Sequence, residues 1–395
     1  MKTIPPAKRA DILRDFQTLK MAQSPHAFIR GTTAQFYGWL EELKKSSLPE
    51  GPPIWICGDC HVSNLGPLAN VKGDVSVSIR DLDQTVIGNP AHDIIRLGLS
   101  LASAARGSAL PGVTTARMME QMIFGYMAAM SRRSGDDPGA GPSSIRSVVK
   151  RAVKRTWRHL AKERIEDTRP TIPAGKRFWP LTRKEGVEIK RLFATDELKR
   201  LATILRERDD DASVRVVDAA YWRKGCSSLG RLRYCVLLEV GDDPFELCLM
   251  DIKEAIAPSA PRHRKAAMPK DPAARVVEGA RHLTPPLGER MRPAAFLGKS
   301  VFVRELMPQD LKLDLDVLPD DEAVKIARFL AFAVGRAHAR QMDQTTRDRW
   351  SRQLKAAMPK SLDAPMWLWR SVVDLLALYE RAYLEHCRRY AAQVA

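Results

Sequence analysis

Cysteine is scarce in this sequence, and long apolar runs are absent. No stretch approaches the roughly 18 consecutive apolar residues of a transmembrane helix, so we expect no membrane association. Internal repeats and low-complexity tracts are also missing, which excludes a repeat architecture. The six cysteines are too scattered for a disulfide framework, which favours a reduced cytoplasmic protein. They are Cys57, Cys60, Cys226, Cys235, Cys248 and Cys387.

The composition bounds the size of the fold and the kind of partner. A chain of 395 residues with 45% hydrophobic content can bury one large or two ordinary cores. The formal net charge of +17 indicates an anionic partner, such as nucleic acid, acidic lipid or nucleotide. Charge alone does not choose among these partners.

Two acidic loops carry the clearest chemical pattern. Residues 58–64 read Gly-Asp-Cys-His-Val-Ser-Asn and follow the short apolar run 53–56. Residues 80–83 read Arg-Asp-Leu-Asp and follow the alternating, strand-like run 75–79. The sequence therefore predicts that each loop begins at the end of a short strand.

The side chains of these loops are those that a phosphoryl-transfer centre requires. Asp59 is predicted to orient and deprotonate an acceptor hydroxyl, while Asn64 and Asp81 hold Mg²⁺ or Mn²⁺ against the phosphates of ATP. Asp83 is either a second metal contact or a partner for a base. His61 is expected to organise the loop rather than to carry a proton.

The first loop also contains a competing pattern. Residues 57–61 spell Cys-x-x-Cys-His, which is used for c-type haem attachment and, in part, for redox chemistry. Haem attachment normally needs export, and the N-terminal positive charges lack the apolar stretch of an export signal. The preferred interpretation is that Cys57 and Cys60 are small buried hydrophobic residues.

A change to β-rich sequence occurs near residue 212. Two predicted strands, 231–240 and 246–253, follow a glycine-containing turn at Gly225–Gly230. The glycine spacing resembles a P-loop, but Arg-Leu follows where Lys and Ser or Thr are required, and no helix begins there. We therefore predict a flap that covers ATP phosphates. Its predicted nucleotide-binding residues are Gly225, Ser227, Ser228 and Gly230.

A lysine and a glutamate follow the flap in a meaningful order. Lys253 ends a predicted strand and is expected to reach the α- and β-phosphates. Asp271 and Pro272 predict the start of a helix as N-cap and first helical residue. Glu278, on that helix, is predicted to pair with Lys253.

The remainder of the chain is mostly helical by its apolar periodicity. One basic stretch stands out, residues 146–164, which either binds RNA or an acidic surface or is a solvated helix face. Trp157 is its only aromatic residue suited to stacking on a base, so we expect weak, non-specific nucleic-acid binding. The predicted helical segments are 1–45 with a break at residues 24–25, 93–105, 118–130, 323–340 and 366–392.

These motifs resemble two related groups of proteins. The acidic loops together with Gly-Asn-Pro-Ala-His-Asp at 88–93 resemble the aminoglycoside-phosphotransferase branch of the kinase-like superfamily. Nearly the whole chain resembles the bacterial domain of unknown function 2252 family. The segments that carry the second resemblance are 21–31, 58–64, 81–83, 253–255, 275–279 and 335–340.

The resemblance implies a two-lobed α+β kinase-like fold with an unusual order of elements. The catalytic loop precedes the flap and its lysine, so the fold is expected to be circularly permuted, with residues 323–340 in the place that usually precedes the catalytic loop. Cys57 replaces the His that often precedes Gly-Asp in the phosphotransferases. An inter-lobe hinge is implied at Glu305 and Met307, where backbone groups meet adenine. Arg30 is implied to cap the site.

The expected protein is thus an ATP- and Mg²⁺-dependent transferase of phosphoryl groups to an unknown small-molecule or protein hydroxyl. The predicted helical lobe comprises residues 1–205 and 313–395, and the predicted nucleotide-clamping lobe residues 206–312. Two alternatives stay open. ATP bound in the reverse direction would transfer AMP, and a catalytically silent protein with this fold would sense nucleotide or bind RNA.

Overall fold

Helices and antiparallel strands alternate along the chain in a mixed α+β fold. The computed structural model describes residues 3–44, 47–131, 139, 141–164, 171–205, 207–226, 228–242, 246–313, 318–358 and 365–391. No helix among these residues has both the length and the apolar character needed to cross a bilayer.

The N-terminal half consists mainly of helices and two short two-stranded sheets. Its helices are α1 (Pro6–Ala22), α2 (Pro25–Gly31), α3 (Thr33–Glu42), α4 (Ala91–Gly107), α5 (Gly112–Ala128), α6 (Ser143–Val153), α7 (Trp157–Arg164), α8 (Arg183–Phe193) and α9 (Asp196–Ala202). Strand β1 (Ile54–Ile56) pairs with β4 (Val86–Gly88), and β2 (Leu65–Ala69) pairs with β3 (Val75–Ile79).

The second half contains most of the main sheet and the last helices. The strands are β6 (Val214–Trp222), β7 (Arg233–Val240), β8 (Glu246–Glu254), β9 (Met291–Phe296) and β10 (Lys299–Glu305), preceded in the chain by β5 (Phe178–Trp179). The helices are α10 (Pro272–Leu283), α11 (Pro285–Gly288), α12 (Ala323–Ala339), α13 (Gln344–Ala356) and α14 (Met366–Ala391).

The six-stranded sheet has the order β5-β6-β7-β8-β10-β9, and every neighbouring pair is antiparallel. Helix α10 connects β8 to β9 and packs on β9 and β10. The alternation of strand side chains separates two faces. On β8, Met250 and Ile252 point to a core formed with α1, α8 and α9. Lys253 points to the opposite face, which we call the lysine face.

The helical part encloses the largest core of the molecule. Helices α4, α5, α12 and α14 contribute most of its buried residues, together with both two-stranded sheets. Helices α5 and α12 approach closely because glycines lie at their contact. A Cβ on Gly125 would lie 2.1 Å from the carbonyl oxygen of Arg328, and one on Gly335 would lie 2.7 Å from Ala129 Cβ.

Two helix starts follow from local capping chemistry, and the sequence predicts the one at Asp271. Ser24 accepts a hydrogen bond from Ala27 N at 3.1 Å, which starts α2. Asp271 accepts one from Ala274 N at 2.8 Å, with Pro272 as the first residue of α10. The extent of the β-rich region differs from the predicted boundary at residue 206. The sheet begins at β5, and α1, α8 and α9 cover one of its faces, because their apolar side chains complete its core.

Candidate active site

The backbone of the first acidic loop is held by buried polar contacts. The carboxylate of Asp93, on α4, accepts hydrogen bonds from Cys57 N at 2.7 Å and Gly58 N at 2.9 Å. Tyr37 donates a hydrogen bond to the Gly58 carbonyl at 2.6 Å. Gly58 has a φ of 75°, and a Cβ there would lie 2.2 Å from the carbonyl oxygen of Gln84. Only glycine fits this turn.

A buried chain of hydrogen bonds supports Asp93 from behind. His338 Nε2 lies 3.1 Å from Asp93 Oδ2, and His338 Nδ1 lies 2.9 Å from the Tyr126 hydroxyl. Trp350 Nε1 donates to the same hydroxyl at 3.2 Å. Three separate helices, α5, α12 and α13, thereby fix the position of the loop. The sequence places Asp93 and His338 in motifs but does not reveal this connection.

Asp59 lies at the end of β1 and is held by a buried arginine. Arg96 Nε donates to Asp59 Oδ1 at 3.0 Å, and Arg96 Nη2 lies 2.8 Å from the same oxygen. Burial raises the pKa of Asp59, and the charge of Arg96 opposes that rise. The result is a positioned carboxylate with increased basicity. Arg96 was not predicted as a site residue, because an arginine within an apolar helix gives no signal in sequence alone.

His61 and Asn64 complete the first loop. Burial, followed by the nearby charges of Arg30 and Arg96, lowers the pKa of His61 well below its usual value. The imidazole is therefore neutral near pH 7, and its Nδ1 is buried without a hydrogen-bond partner among the described residues. Asn64 Nδ2 donates to the Asp59 carbonyl at 2.9 Å. No hydrogen bond among the described residues engages its amide oxygen, which suits a metal ligand.

Lys253 meets the second acidic loop. Its Nζ lies 3.4 Å from Asp81 Oδ1 and forms a shorter ion pair with Asp83 Oδ2. Lys253 is 5% exposed, whereas the side chains of Asp81 and Asp83 are partly exposed, so a buried ammonium group meets carboxylates that solvent can reach. The prediction that Lys253 lies opposite Asp81 is confirmed, although the two residues are 172 positions apart.

The two carboxylates of this loop are electrostatically unequal. Burial disfavours charge on Asp81, but Lys253 outweighs it and holds the pKa of Asp81 well below its usual range. Burial and the neighbouring Asp81 charge raise the pKa of Asp83 to about 6. Asp83 Oδ1 is buried and has no hydrogen-bond partner among the described residues. One lysine thus faces two carboxylates, which leaves unsatisfied acceptor capacity for a cation.

Asn64, Asp81 and Asp83 fit a divalent cation that shares its ligands with a substrate. Mg²⁺ is usually held by one or two carboxylates while waters or phosphate oxygens fill its other positions. Within the part of the chain that the structure describes, no group of three or more His, Cys, Asp or Glu side chains is arranged to hold a metal by itself. An all-protein metal cage is thus not found there, whereas a shared site needs only these oxygens.

These residues line one polar cavity of about 100 Å³ between the acidic loops and the sheet. Arg30 from α2, Arg231 and Arg233 add positive charge to the walls. Arg233 is already paired with Asp251, through Nε–Oδ1 at 3.0 Å and Nη2–Oδ2 at 2.7 Å. Arg30 Nε is buried without a hydrogen-bond partner among the described residues. The cavity therefore combines anion-attracting and cation-attracting groups.

The predicted flap contributes part of the cavity wall. Gly225 and Ser228 line the cavity, and Lys20 donates to the Gly225 carbonyl at 2.7 Å. Gly225 has a φ of 105°, which favours glycine. Ser227 lies outside the described residues. Gly230 does not line the cavity. It packs against α1 instead, where a Cβ would lie 2.5 Å from Ala10 Cα. It is required for the contact between the flap and α1.

The predicted Lys253–Glu278 pair is wrong. Glu278 contacts Arg281 at 3.3 Å and His282 at 3.2 Å on its own helix. The buried side of α10 approaches so closely that a Cβ on Gly279 would lie 2.4 Å from Thr85 Cγ2, and this docking turns Glu278 outward. Arg275 faces the acidic loop instead and donates to the Asp83 carbonyl at 2.8 Å.

The predicted hinge residues lie beside a different cavity. Glu305 forms a two-point ion pair with Arg208, at 2.9 and 3.1 Å, and burial raises the pKa of Glu305. Glu305 and Met307 line a second cavity of about 460 Å³ together with Leu247. Leu247 precedes Lys253 by six residues on β8, a distance of roughly 20 Å along a strand. The structure does not bring the hinge residues to the polar cavity.

The Cys-x-x-Cys-His pattern has a structural explanation. Cys57 and Cys60 are free and fully buried, and the pKa of each thiol is raised. The interpretation of both as small buried hydrophobic residues is confirmed.

The fold and the cavity define a mixed α+β protein in which a lysine of the sheet and two acidic loops line one polar cavity. A family model described as an uncharacterized protein conserved in bacteria (DUF2252) matches residues 10–389. The chain therefore belongs to this family. No curated protein and no solved structure matches the chain.

Proposed function

We propose that this protein is an ATP- and Mg²⁺-dependent transferase with a permuted kinase-like arrangement. The observation that carries the proposal is the meeting of Lys253 with Asp81 and Asp83 in one polar cavity. In kinase-like enzymes a lysine on the third strand engages the phosphates, and an aspartate from a separate loop binds the metal. Counted from β6, Lys253 also lies on the third strand.

The order of elements around Lys253 supports the same proposal. The flap turn between β6 and β7, the lysine strand β8, helix α10 and the strands β9 and β10 follow one another in the order expected for a nucleotide lobe. The acidic loops come earlier in the chain, and α12 returns to contact Asp93 through His338. This return is what a permuted helical lobe requires. The absence of a Lys253–Glu278 pair is the principal difference from an active kinase.

The proposed reaction assigns one task to each group. Asp59 accepts the proton of an acceptor hydroxyl, whose oxygen then forms a bond to the γ-phosphorus as the bond to the β,γ-bridging oxygen breaks. Arg96 keeps Asp59 ionised and oriented. Lys253 stabilises the charge that develops on the leaving ADP. A cation held by Asn64, Asp81 and Asp83 would supply electrostatic stabilisation of the phosphate oxygens.

Labelled nucleotides test the proposal directly. We expect the protein with Mg²⁺ or Mn²⁺ to transfer label from γ-labelled ATP to an acceptor, or to itself or water when no acceptor is present. Transfer from α-labelled ATP with a matching mass increase would instead establish AMP transfer. No label transfer and no nucleotide binding would contradict the proposal and favour a non-enzymatic role. An Asp59→Asn variant serves as the inactive control.

A further inference from the structure

We propose that α7 closes the base-binding part of the nucleotide cleft, so that ATP binds only when α7 leaves the sheet. This inference rests on the proposed function, since it takes Lys253 as the phosphate end of the cleft. The base end then lies along the lysine face toward Leu306, where β10 ends. Side chains of α7 cover the base end, whereas a polar cavity lies at the phosphate end.

The base end of the lysine face is covered by α7 at the sheet, and its edge borders the cavity of about 460 Å³ that Leu160 and Leu306 also line. The apolar side chains there are Cys235 and Leu237 on β7, Leu249 on β8, and Leu306. All belong to one buried cluster that also contains Leu160 and Ala161 of α7. Leu160 is 2% exposed and Ala161 is fully buried. Two α7 side chains thus lie where a planar base would contact the sheet.

The phosphate end is open but small. The polar cavity around Lys253 has about 100 Å³, whereas pockets for small organic ligands usually have about 300–1,000 Å³. Its walls carry the charges that phosphate and a cation require. The cavity therefore suits the polyphosphate part of a nucleotide better than the complete molecule.

The attachment of α7 is limited, which makes its release feasible. Leu160 and Ala161 are its buried residues, Trp157 is half-buried, and most of its other described side chains are exposed. Arg155, just before the helix, donates from Nε to the Pro308 carbonyl at 2.6 Å, and its own carbonyl accepts from Gln309 Nε2 at 3.3 Å. Glu163 on α7 pairs with Arg155, and its carbonyl accepts from Arg177 at 2.9 Å. A short element with few buried apolar contacts opens at low cost relative to global unfolding.

Closure has a measurable consequence for binding. A ligand that needs the open state binds with an affinity reduced by the fraction of open molecules, whereas a ligand that fits both states is unaffected. Mg²⁺-ATP belongs to the first class and inorganic triphosphate with Mg²⁺ to the second. A substitution that releases α7 should therefore strengthen ATP binding only.

The test compares Leu160→Asp with Val153→Asp by titration calorimetry. Val153 on neighbouring α6 is 59% exposed, so its substitution makes the same chemical change without touching the sheet. We expect Leu160→Asp to increase the affinity for Mg²⁺-ATP at least about tenfold and to leave triphosphate binding unchanged. Val153→Asp should change neither. Equal ATP affinity in wild type and Leu160→Asp would overturn the closure, while triphosphate binding would still support the proposed function.

A second measurement uses the wild-type protein and does not depend on the folding of the variant. At saturating Mg²⁺-ATP, the amide hydrogens of α7 should exchange faster than in the free protein, and saturating triphosphate should not produce this change. Unchanged α7 protection with ATP bound would contradict the closure. Failure of both ligands to bind would contradict the proposed function and the closure together.

Discussion

Two ion-pair clusters on opposite faces of the same sheet differ in burial and in how completely their charged groups are paired. The first, which we call the structural cluster, consists of Arg9, Glu185 and Tyr234. The second, the cavity cluster, consists of Asp81, Asp83 and Lys253. Both join segments that are far apart in sequence, but only the structural cluster is fully buried, since the side chain of Asp81 is 47% exposed.

In the structural cluster, both carboxylate oxygens of Glu185 have hydrogen-bond partners. Glu185 Oε1 accepts from Arg9 Nη1 at 2.6 Å and from the Tyr234 hydroxyl at 2.7 Å. Glu185 Oε2 accepts from Arg9 Nη2 at 2.9 Å and from the backbone and side chain of Thr182, which caps α8. Arg9 also lies 4.0 Å above the ring centroid of Tyr221. The cluster locks α1 and α8 onto the sheet.

The cavity cluster contrasts with this in charge and access. It has one cation for two carboxylates, an unpartnered Asp83 oxygen and a cavity beside it. Burying such groups without full pairing costs stability, so its composition is better explained by a ligand that completes it. The comparison teaches that burial alone does not mark a functional charge, whereas incomplete pairing beside a cavity does.

The largest expected effect concerns Asp59, across the cavity from Lys253. Asp59→Asn should lower turnover about 10²- to 10⁴-fold because the acceptor hydroxyl loses its base. Binding of Mg²⁺-triphosphate should stay within about twofold, since the phosphate and metal ligands remain. Single-turnover kinetics and calorimetry separate these effects. Loss of triphosphate binding in Asp59→Asn, with binding kept in Asp81→Asn, would reverse the two assignments.

The next effect is on folding and distinguishes the clusters by stability. Glu185→Gln leaves the buried Arg9 guanidinium without its counter-ion, and we expect the free energy of unfolding to fall by about 3–5 kcal/mol. Asp83→Asn should leave it unchanged or increase it at pH 7, because the raised pKa of Asp83 means that folding disfavours its charged form. Urea unfolding of the two variants measures both. A similar loss of unfolding free energy in both variants would contradict the claim that only the structural cluster stabilises the fold.

A smaller effect is predicted for the lysine. Lys253→Met removes a charged hydrogen-bond donor to the phosphates, worth about 1.5–3 kcal/mol, so triphosphate affinity should fall roughly tenfold to a hundredfold. Lys299→Met is a suitable control, since that lysine is exposed at the start of β10, pairs with Glu254 and does not line the polar cavity. Calorimetric titration should show unchanged affinity for the control. Equal affinities in all three proteins would exclude Lys253 from the phosphate site.

The smallest effect is the pH dependence of the structural cluster. Burial disfavours the Glu185 charge, but hydrogen bonds from Arg9, Tyr234 and Thr182 outweigh it and lower its pKa. A carboxyl with a lowered folded-state pKa contributes stability above its unfolded pKa, near 4.3, and loses it as the pH falls through the folded value. The difference in unfolding free energy between wild type and Glu185→Gln should be constant above about pH 5 and shrink below pH 4. A difference that grows in acid would contradict this.

Much of the fold follows from local chemistry in the sequence. The cap at Asp271, the break in apolar periodicity at residues 24–25 and the strand alternation at 75–79 all predict elements that form where expected. Local patterns also identify the acidic loops and Lys253. These features depend only on residues that are close together in the chain, so they can be predicted from the sequence.

The partners of the site residues could not be predicted in the same way. The order of the chain predicts that Glu278 pairs with Lys253, but the close approach of Gly279 to Thr85 directs Arg275 toward the acidic loop instead. Arg96 belongs to an otherwise apolar helix, and its contact with Asp59 depends on the packing of α4 beneath the loop. Such contacts depend on how whole elements pack, which no local spacing reveals.

The central claim is that the cavity cluster binds the phosphates of a nucleotide together with a divalent cation. Calorimetric titration of inorganic triphosphate with Mg²⁺ into wild type, Asp81→Asn and Glu185→Gln tests it most directly, at a temperature where all three are folded. The account predicts metal-dependent binding by wild type and Glu185→Gln with similar affinity, and loss of that binding in Asp81→Asn. Binding that is unaffected by Asp81→Asn, or no binding by the wild-type protein, would contradict the claim.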